Sequence, residues 1–207
     1  MTHTLHREGT LANLADDYPM LAIRAKGYNW EGNVWRLQKI LELAARYPIV
    51  NYGDIINGPK STTSLEQILK SDQDLPLVHM VFTSKEDMTA YMRDLKEADL
   101  GISVVVSGLI EEIYQCCKKA GLKPHSVNYS LGVHGRTEKL PAKEMLEITT
   151  MCGHALIATN LVKKFIEDVR KGKETCEKAA EKLAKNCLCG IFNPQRAAEL
   201  MRLIAGA

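Results

Sequence analysis

Three cysteines have a spacing that permits chemistry. In "TTMCGHALIATNLVKK" (149–164) Cys152 is followed by Gly153 and His154, and in "KNCLCGIFNP" (185–194) Cys187 and Cys189 flank a single residue and are followed by Gly190. In a C-x-C turn both thiolates can face one side, and an adjacent glycine lets backbone amides approach sulfur without a side-chain clash. Three thiols on two glycine-flanked turns therefore form a set that closes only in three dimensions. The fourth position decides the chemistry. With His154 as fourth ligand the set is a Cys₃His zinc site. Without a fourth protein ligand, three thiolates can hold a [4Fe-4S] cluster with one iron open to substrate. Neither the Cys₄ ferredoxin spacing nor the paired C-x-x-C of zinc ribbons is present, so the cluster, zinc and plain core thiols all stay open.

The remaining cysteines read differently. Cys116 and Cys117 are neighbours on a helical segment, where successive side chains diverge by about 100° and cannot both face one metal. They and Cys176 read as small buried hydrophobes. With six cysteines in the chain and no mark of secretion, clustered thiols point to ligands or reactive groups rather than to disulfides.

The polar candidates sit near by in the sequence or at strand ends. His154, two residues after Cys152, is a ligand or a proton donor beside the metal. His134 and Arg136 in "SLGVHGRTEK" (130–139) follow the last expected strand, where α/β sheets commonly gather ligands. There His134 is a candidate acid or base and Arg136 a carboxylate clamp; the alternative is a plain surface turn shaped by Gly132 and Gly135. His79, inside an apolar strand, reads as a core histidine, and His3, His6 and His125 carry no signal. Ser107–Gly108 offers a strand-to-helix turn but lacks the lysine of a P-loop, so no nucleotide cofactor is expected. Asn193, ahead of Pro194, is a natural helix cap that would hold the C-x-C turn in place.

The phrases "DLKEADLGISVVVSGL", "GLKPHSVNYSLGVHG", "EKLP", "EITTMCGH" and "CLCGIFNP" resemble a family of small, largely uncharacterised proteins from anaerobic bacteria and archaea. The likeness runs from "HREGT" onward over nearly the whole chain, and the MCGH and C-x-CG-x-FNP motifs are its most specific parts. It implies an anaerobic setting and a common role for the three cysteines. An open three-cysteine cluster is also similar to those of non-redox desulfidases and hydro-lyases, in which the free iron is a Lewis acid. The resulting expectation is an iron-sulfur-dependent lyase or desulfidase acting on a small polar molecule. The alternative is a non-catalytic structural or sensor module holding zinc or a cluster. An electron carrier is disfavoured, since a three-cysteine site is poorly suited to outer-sphere transfer.

Composition narrows the partners. The 207 residues suffice for one substantial core, and 27 basic against 25 acidic residues leave a net charge of +2, so neither nucleic acid nor an anionic membrane is expected. No run reaches the roughly 18 apolar residues of a membrane span, and the start "MTHTLHREGTLANLADD" lacks a signal-peptide core, which suggests the cytoplasm. A homodimer is the base expectation for such a chain.

The elements that must position these groups are readable from periodicity. Residues 1–20 look polar and loosely ordered, and 51–64 read as a loop. "MLAIRAKG", "LPLVHMVFT", "GISVVVSG" and "HSVNYSLGVHG" read as strands, "GISVVVSG" as a buried one. "NVWRLQKILELAARYP", "LEQILKS", "SKEDMTAYMRDLKEAD" and "LIEEIYQCCKKAG" read as helices, with Ser64 and Ser84 as caps and Gly121 as a stop. The alternation predicts an α/β core over 1–140 built from βαβ units, with either parallel neighbours or a split βαβ arrangement. Residues 141–207 read as a helical lobe packed on that core, with one helix running through 142–172.

Overall fold

The structure is a computed structural model that describes residues 4–206; His3 lies outside them. Its elements are α1 (Leu11–Leu14), β1 (Tyr18–Ile23), α2 (Val34–Ala44), β2 (Asn51–Asp54), β3 (Gly58–Pro59), α3 (Leu65–Leu69), β4 (Leu77–Phe82), α4 (Lys85–Ala98), β5 (Ser103–Val106) and α5 (Ile110–Ala120). Then follow α6 (Lys143–Thr149), α7 (Thr159–Arg170), α8 (Cys176–Ala184) and α9 (Pro194–Ala205).

The strands form one sheet in the order β3-β2-β4-β1-β5. Every hydrogen-bonded pair in it is antiparallel. The parallel-neighbour alternative is thereby overturned and the split βαβ one holds. A crossover through α2 returns β2 in the direction of β1 but one place further out, and β4 fills the gap between them. The same happens through α4, with β1 between β4 and β5. Alternation of strands and helices along the chain cannot distinguish adjacent from split placement.

Period-two alternation gives the sheet two apolar faces. Tyr18, Met20 and Ala22 of β1 and Val78, Met80 and Phe82 of β4 join α2, α4 and α5 in one core. There Phe82 stacks on Tyr91 at 5.1 Å between centroids, and the Tyr91 hydroxyl donates to the Ile40 carbonyl. Val81 faces the opposite way, into a second core made almost wholly of α6–α9 and their turns. His79 shares that second face and pairs in register with Leu21 and Gly53. The helical lobe therefore covers the back of the sheet.

Caps act where the sequence places them. Ser64 forms a full capping box with Gln67, the Ser84 hydroxyl accepts from the Asp87 amide, and Gly121 ends α5 in the left-handed conformation. At the start of α9 Asn193 accepts from the Arg196 amide, with Pro194 in the first turn.

Four local expectations are corrected. Residues 51–64 hold the β2–β3 hairpin, short and rich in turn formers, which hides its pairing from periodicity. β5 is an edge strand, partly exposed along its length, rather than a buried one. The strand expected over 125–135 does not form. Its alternating Val127, Tyr129, Leu131 and Val133 are exposed, and Gly132 and Gly135 take positive φ values of 88° and 90° that break an extended run. The long helix over 142–172 is interrupted between α6 and α7. Its last turn is capped by Thr150, whose hydroxyl bonds back to the Leu146 carbonyl, and Ala155 adopts a left-handed φ of 56°.

Residues 4–17 are not loose. They run as a strap over the joint between sheet and lobe, and bury Asp17 and the Arg7 side chain.

Candidate thiol site

The break between α6 and α7 turns Cys152 inward, and the link between α8 and α9 does the same for Cys187 and Cys189. All three are at most 1% exposed. The thiols lie in a file in which each shifts the ionisation of its neighbour, Cys152 with Cys187 and Cys187 with Cys189. Residues from two distant turns thus meet, as the spacing requires.

The file is electrically graded. The neighbouring Cys187, with burial added, holds the Cys152 proton far above the usual thiol range. For Cys187 the neighbouring Cys152 lowers the pKa, but Cys189 and burial together push it up to about 11. Cys189 lies at the opposite end. Cys187 lowers its pKa against the opposing effect of burial, and the Ile191 backbone assists. Thiolate character is therefore greatest at Cys189.

His154 comes next, with Nδ1 3.9 Å from the Cys189 sulfur. It sits in the exposed turn 153–156, whose backbone at Leu156 and His154 tempers the rise in the Cys152 pKa. His79 approaches from below. Its ring lies close to the Cys189 backbone, and burial holds its pKa down at about 3, so the imidazole is neutral. The sequence reading as a core histidine is right about burial and misses the neighbour, because strand periodicity does not say what lies across a face.

The C-x-C turn lies directly on β2. A Cβ added at Gly190, whose φ is 76°, would come 2.3 Å from the Tyr52 carbonyl oxygen, and one at Gly53 would come 3.2 Å from the Cys189 carbonyl oxygen. Asn51 donates to the Phe192 carbonyl at 2.7 Å. Both glycines are needed for backbone to meet backbone.

Sequence reasoning missed the polar group behind the thiols. Arg7 donates through Nη1 to both oxygens of Asp17 at 2.5 Å, and through Nη2 to the carbonyls of Met151 at 3.0 Å and Ile191 at 2.5 Å. Asp17 also accepts from Arg196 at 3.0 Å and from Asn193 at 3.1 Å. Arg196 continues to the Glu8 carbonyl and the Asn13 side chain. Two guanidinium groups share one carboxylate that is fully buried. The only sequence signal was the occurrence of arginine and aspartate in a stretch otherwise read as loose.

His134 and Arg136 are not brought to the thiols. Both lie in the exposed stretch 125–140, where His134 Nε2 contacts the Leu131 carbonyl of its own turn. Cys116 and Cys117 pack in the other core, and Cys176 lies in the lobe core at the head of α8. All six cysteines are free.

Among the described residues, no three or more His, Cys, Asp or Glu side chains stand as a ready metal-holding group. The three thiols are buried side by side, and a metal centre would require each to give up its proton for a bond to it. Also among the described residues, no helix is long and apolar enough to cross a membrane. Compared with protein-family models, with curated proteins and with solved structures, the chain has no match.

Proposed function

We propose that Cys152, Cys187 and Cys189 hold a [4Fe-4S] cluster with one open iron, and that the protein is a cytoplasmic non-redox lyase or desulfidase for a small polar molecule. The observation that carries this reading is the convergence of three thiols, and no fourth, from two turns into one buried file. The donor chemistry suits the group: soft sulfur ligands, a dry surround, and glycines that admit backbone amides. When bound, the open iron would supply a Lewis acid for a sulfur or oxygen leaving group.

The chain's own residues have separate tasks in this reading. Cys189, the most thiolate-like, is the first anchor, and Cys187 and Cys152 lose their protons as they bind. His154, in the exposed turn beside Cys189, is the group placed to pass a proton to a departing atom. The turn 153–156 covers the thiols and is the route by which a substrate would reach them. His134 and Arg136 lie apart from the thiols, so a catalytic role for them requires their loop to close. The likeness to proteins of anaerobes supports an oxygen-sensitive centre.

A second reading has one observation of its own. His154 Nδ1 beside Cys189 supplies a fourth donor for a Cys₃His zinc site that would pin the lobe to the sheet without catalysis. Anaerobic reconstitution of the full chain with ferrous iron and sulfide, followed by metal and sulfide analysis and electron paramagnetic resonance, separates the two. About four irons and four sulfides per chain is the expected result for one cubane. A colourless protein that retains zinc alone would end the cluster reading.

A further inference from the structure

We infer that Arg7 is a positioning residue for the thiol site: its guanidinium sets the separation of the two cysteine turns and so determines whether the site can take up its metal. This rests on the proposed cluster for its metal arm, although the geometry stands independently.

The two turns have no continuous element between them. Cys152 is on the link from α6 to α7, and Cys187 and Cys189 are on the link from α8 to α9. Arg7 Nη2 donates to the Met151 carbonyl, next to Cys152, and to the Ile191 carbonyl, two residues past Cys189. One nitrogen thus holds both turns, at sites adjoining their sulfurs. The opposite nitrogen is fixed on Asp17, just ahead of β1. A planar guanidinium carries these donors at fixed angles, which an ammonium cannot do. The pair of carbonyls is thereby referred to β1 of the sheet.

Three features mark this as more than ordinary packing. The Arg7 side chain is 5% exposed and comes from the strap, which contributes no sulfur. Arg196 already faces Asp17 with a second guanidinium, so the charge of Asp17 does not by itself require Arg7. Glu8, the next residue, ties its amide to the Thr150 hydroxyl, which places the strap against the same turn. Outer contacts of this kind orient metal ligands, and their loss weakens metal binding by roughly 10- to 100-fold.

The test compares the full-length wild type with Arg7→Gln, Arg7→Lys and a control, Arg24→Lys. Arg24 is also buried and paired, with Asp74, but lies at the far end of β1 and touches neither cysteine turn. After anaerobic loading with iron and sulfide, iron retention against a chelator is read beside the melting temperature and the electron paramagnetic resonance spectrum. Arg7→Gln should lose iron roughly 10- to 100-fold more readily. Arg7→Lys should retain the fold, show partial retention and an altered spectrum, and Arg24→Lys should bind iron as the wild type does. Wild-type retention and spectrum in Arg7→Lys and Arg7→Gln would overturn the inference, as would equal iron loss in Arg24→Lys.

If the wild type takes up no iron, the cluster reading fails and a metal-free arm still decides the role of Arg7. A diazene-dicarboxamide oxidant joins Cys152 and Cys187 as a disulfide, and their two electrons and two protons reduce its N=N bond to a hydrazine. Slower closure in folded Arg7→Lys than in the wild type and Arg24→Lys supports the positioning role; equal rates overturn it.

Discussion

Gly190 and Tyr52 meet main chain to main chain, so closely that a single added methyl at Gly190 would lie 2.3 Å from the Tyr52 carbonyl oxygen. The contact seats the C-x-C turn on β2. Gly190 also has a φ of 76°, which a side chain disfavours. Gly190→Ala should therefore destabilise the fold by about 2 to 4 kcal/mol, from backbone strain plus overpacking. Urea unfolding measures this, and a change within about 0.5 kcal/mol, the range of an ordinary surface substitution, would refute it.

The six cysteines should fall into two groups. Cys152→Ala, Cys187→Ala and Cys189→Ala should each abolish metal retention, since two thiolates leave too few anchors. Cys116→Ala, Cys117→Ala and Cys176→Ala should keep it and cost about 1 to 2 kcal/mol as small core truncations. Metal that survives joint replacement of Cys187 and Cys189 would show that the site lies elsewhere.

His154→Ala discriminates between the metals. A Cys₃His zinc site should lose affinity, while an open cluster should persist with impaired turnover. Zinc and iron contents of the purified variant supply the readout.

His134→Ala and Arg136→Ala should leave stability within about 0.5 kcal/mol and metal content unchanged, because both side chains stand in the exposed stretch. Turnover is the discriminating measurement. An effect on activity at constant metal content would show that their loop closes over the site.

Acid should weaken the other side of the sheet in a defined window. The Glu112 carboxyl is held below its usual value of 4.5, chiefly by the hydrogen bond Tyr18 donates, with Lys85 assisting. A depressed carboxylate contributes stability that is fully present above the unfolded value and is lost as pH falls through the folded one. Thermal unfolding should thus lose stability below about pH 4.5, and Glu112→Gln should flatten that slope. An identical slope in the variant would remove Glu112 from the account.

Much of this was legible in the sequence, and the failures share a cause. α2, α4, α5, α8 and α9 carry long apolar periodicity with caps such as Ser84 and Asn193, which are local signals. The grouping of Cys152 with Cys187 and Cys189 followed from their shared glycine neighbours. Pairing partners are non-local, so the choice between parallel and split placement, the β2–β3 hairpin and the missing strand at 125–135 could not be read. The alternation of Val127, Tyr129, Leu131 and Val133 is a real strand pattern without a partner strand. Arg7, Asp17 and Arg196 were missed because a buried ion group looks like surface polarity until the chain is folded. His79 was correctly placed in the core, yet only the folded sheet shows it beneath Cys189.

The strap also fixes an order of events during synthesis. The bond from Arg7 to the Ile191 carbonyl spans 184 residues of sequence, and Arg196 reaches back 188 residues to Glu8. A contact of such separation forms only after residues up to Arg196 have left the ribosome, and its loop closure adds to the folding barrier. The split sheet can pair while the lobe is still being made, but the thiol file cannot be completed until α9 docks. A metal held by all three thiols could therefore enter only once α9 is in place, and a chain truncated before Ile191 would present an exposed Cys152 turn with nothing to close it.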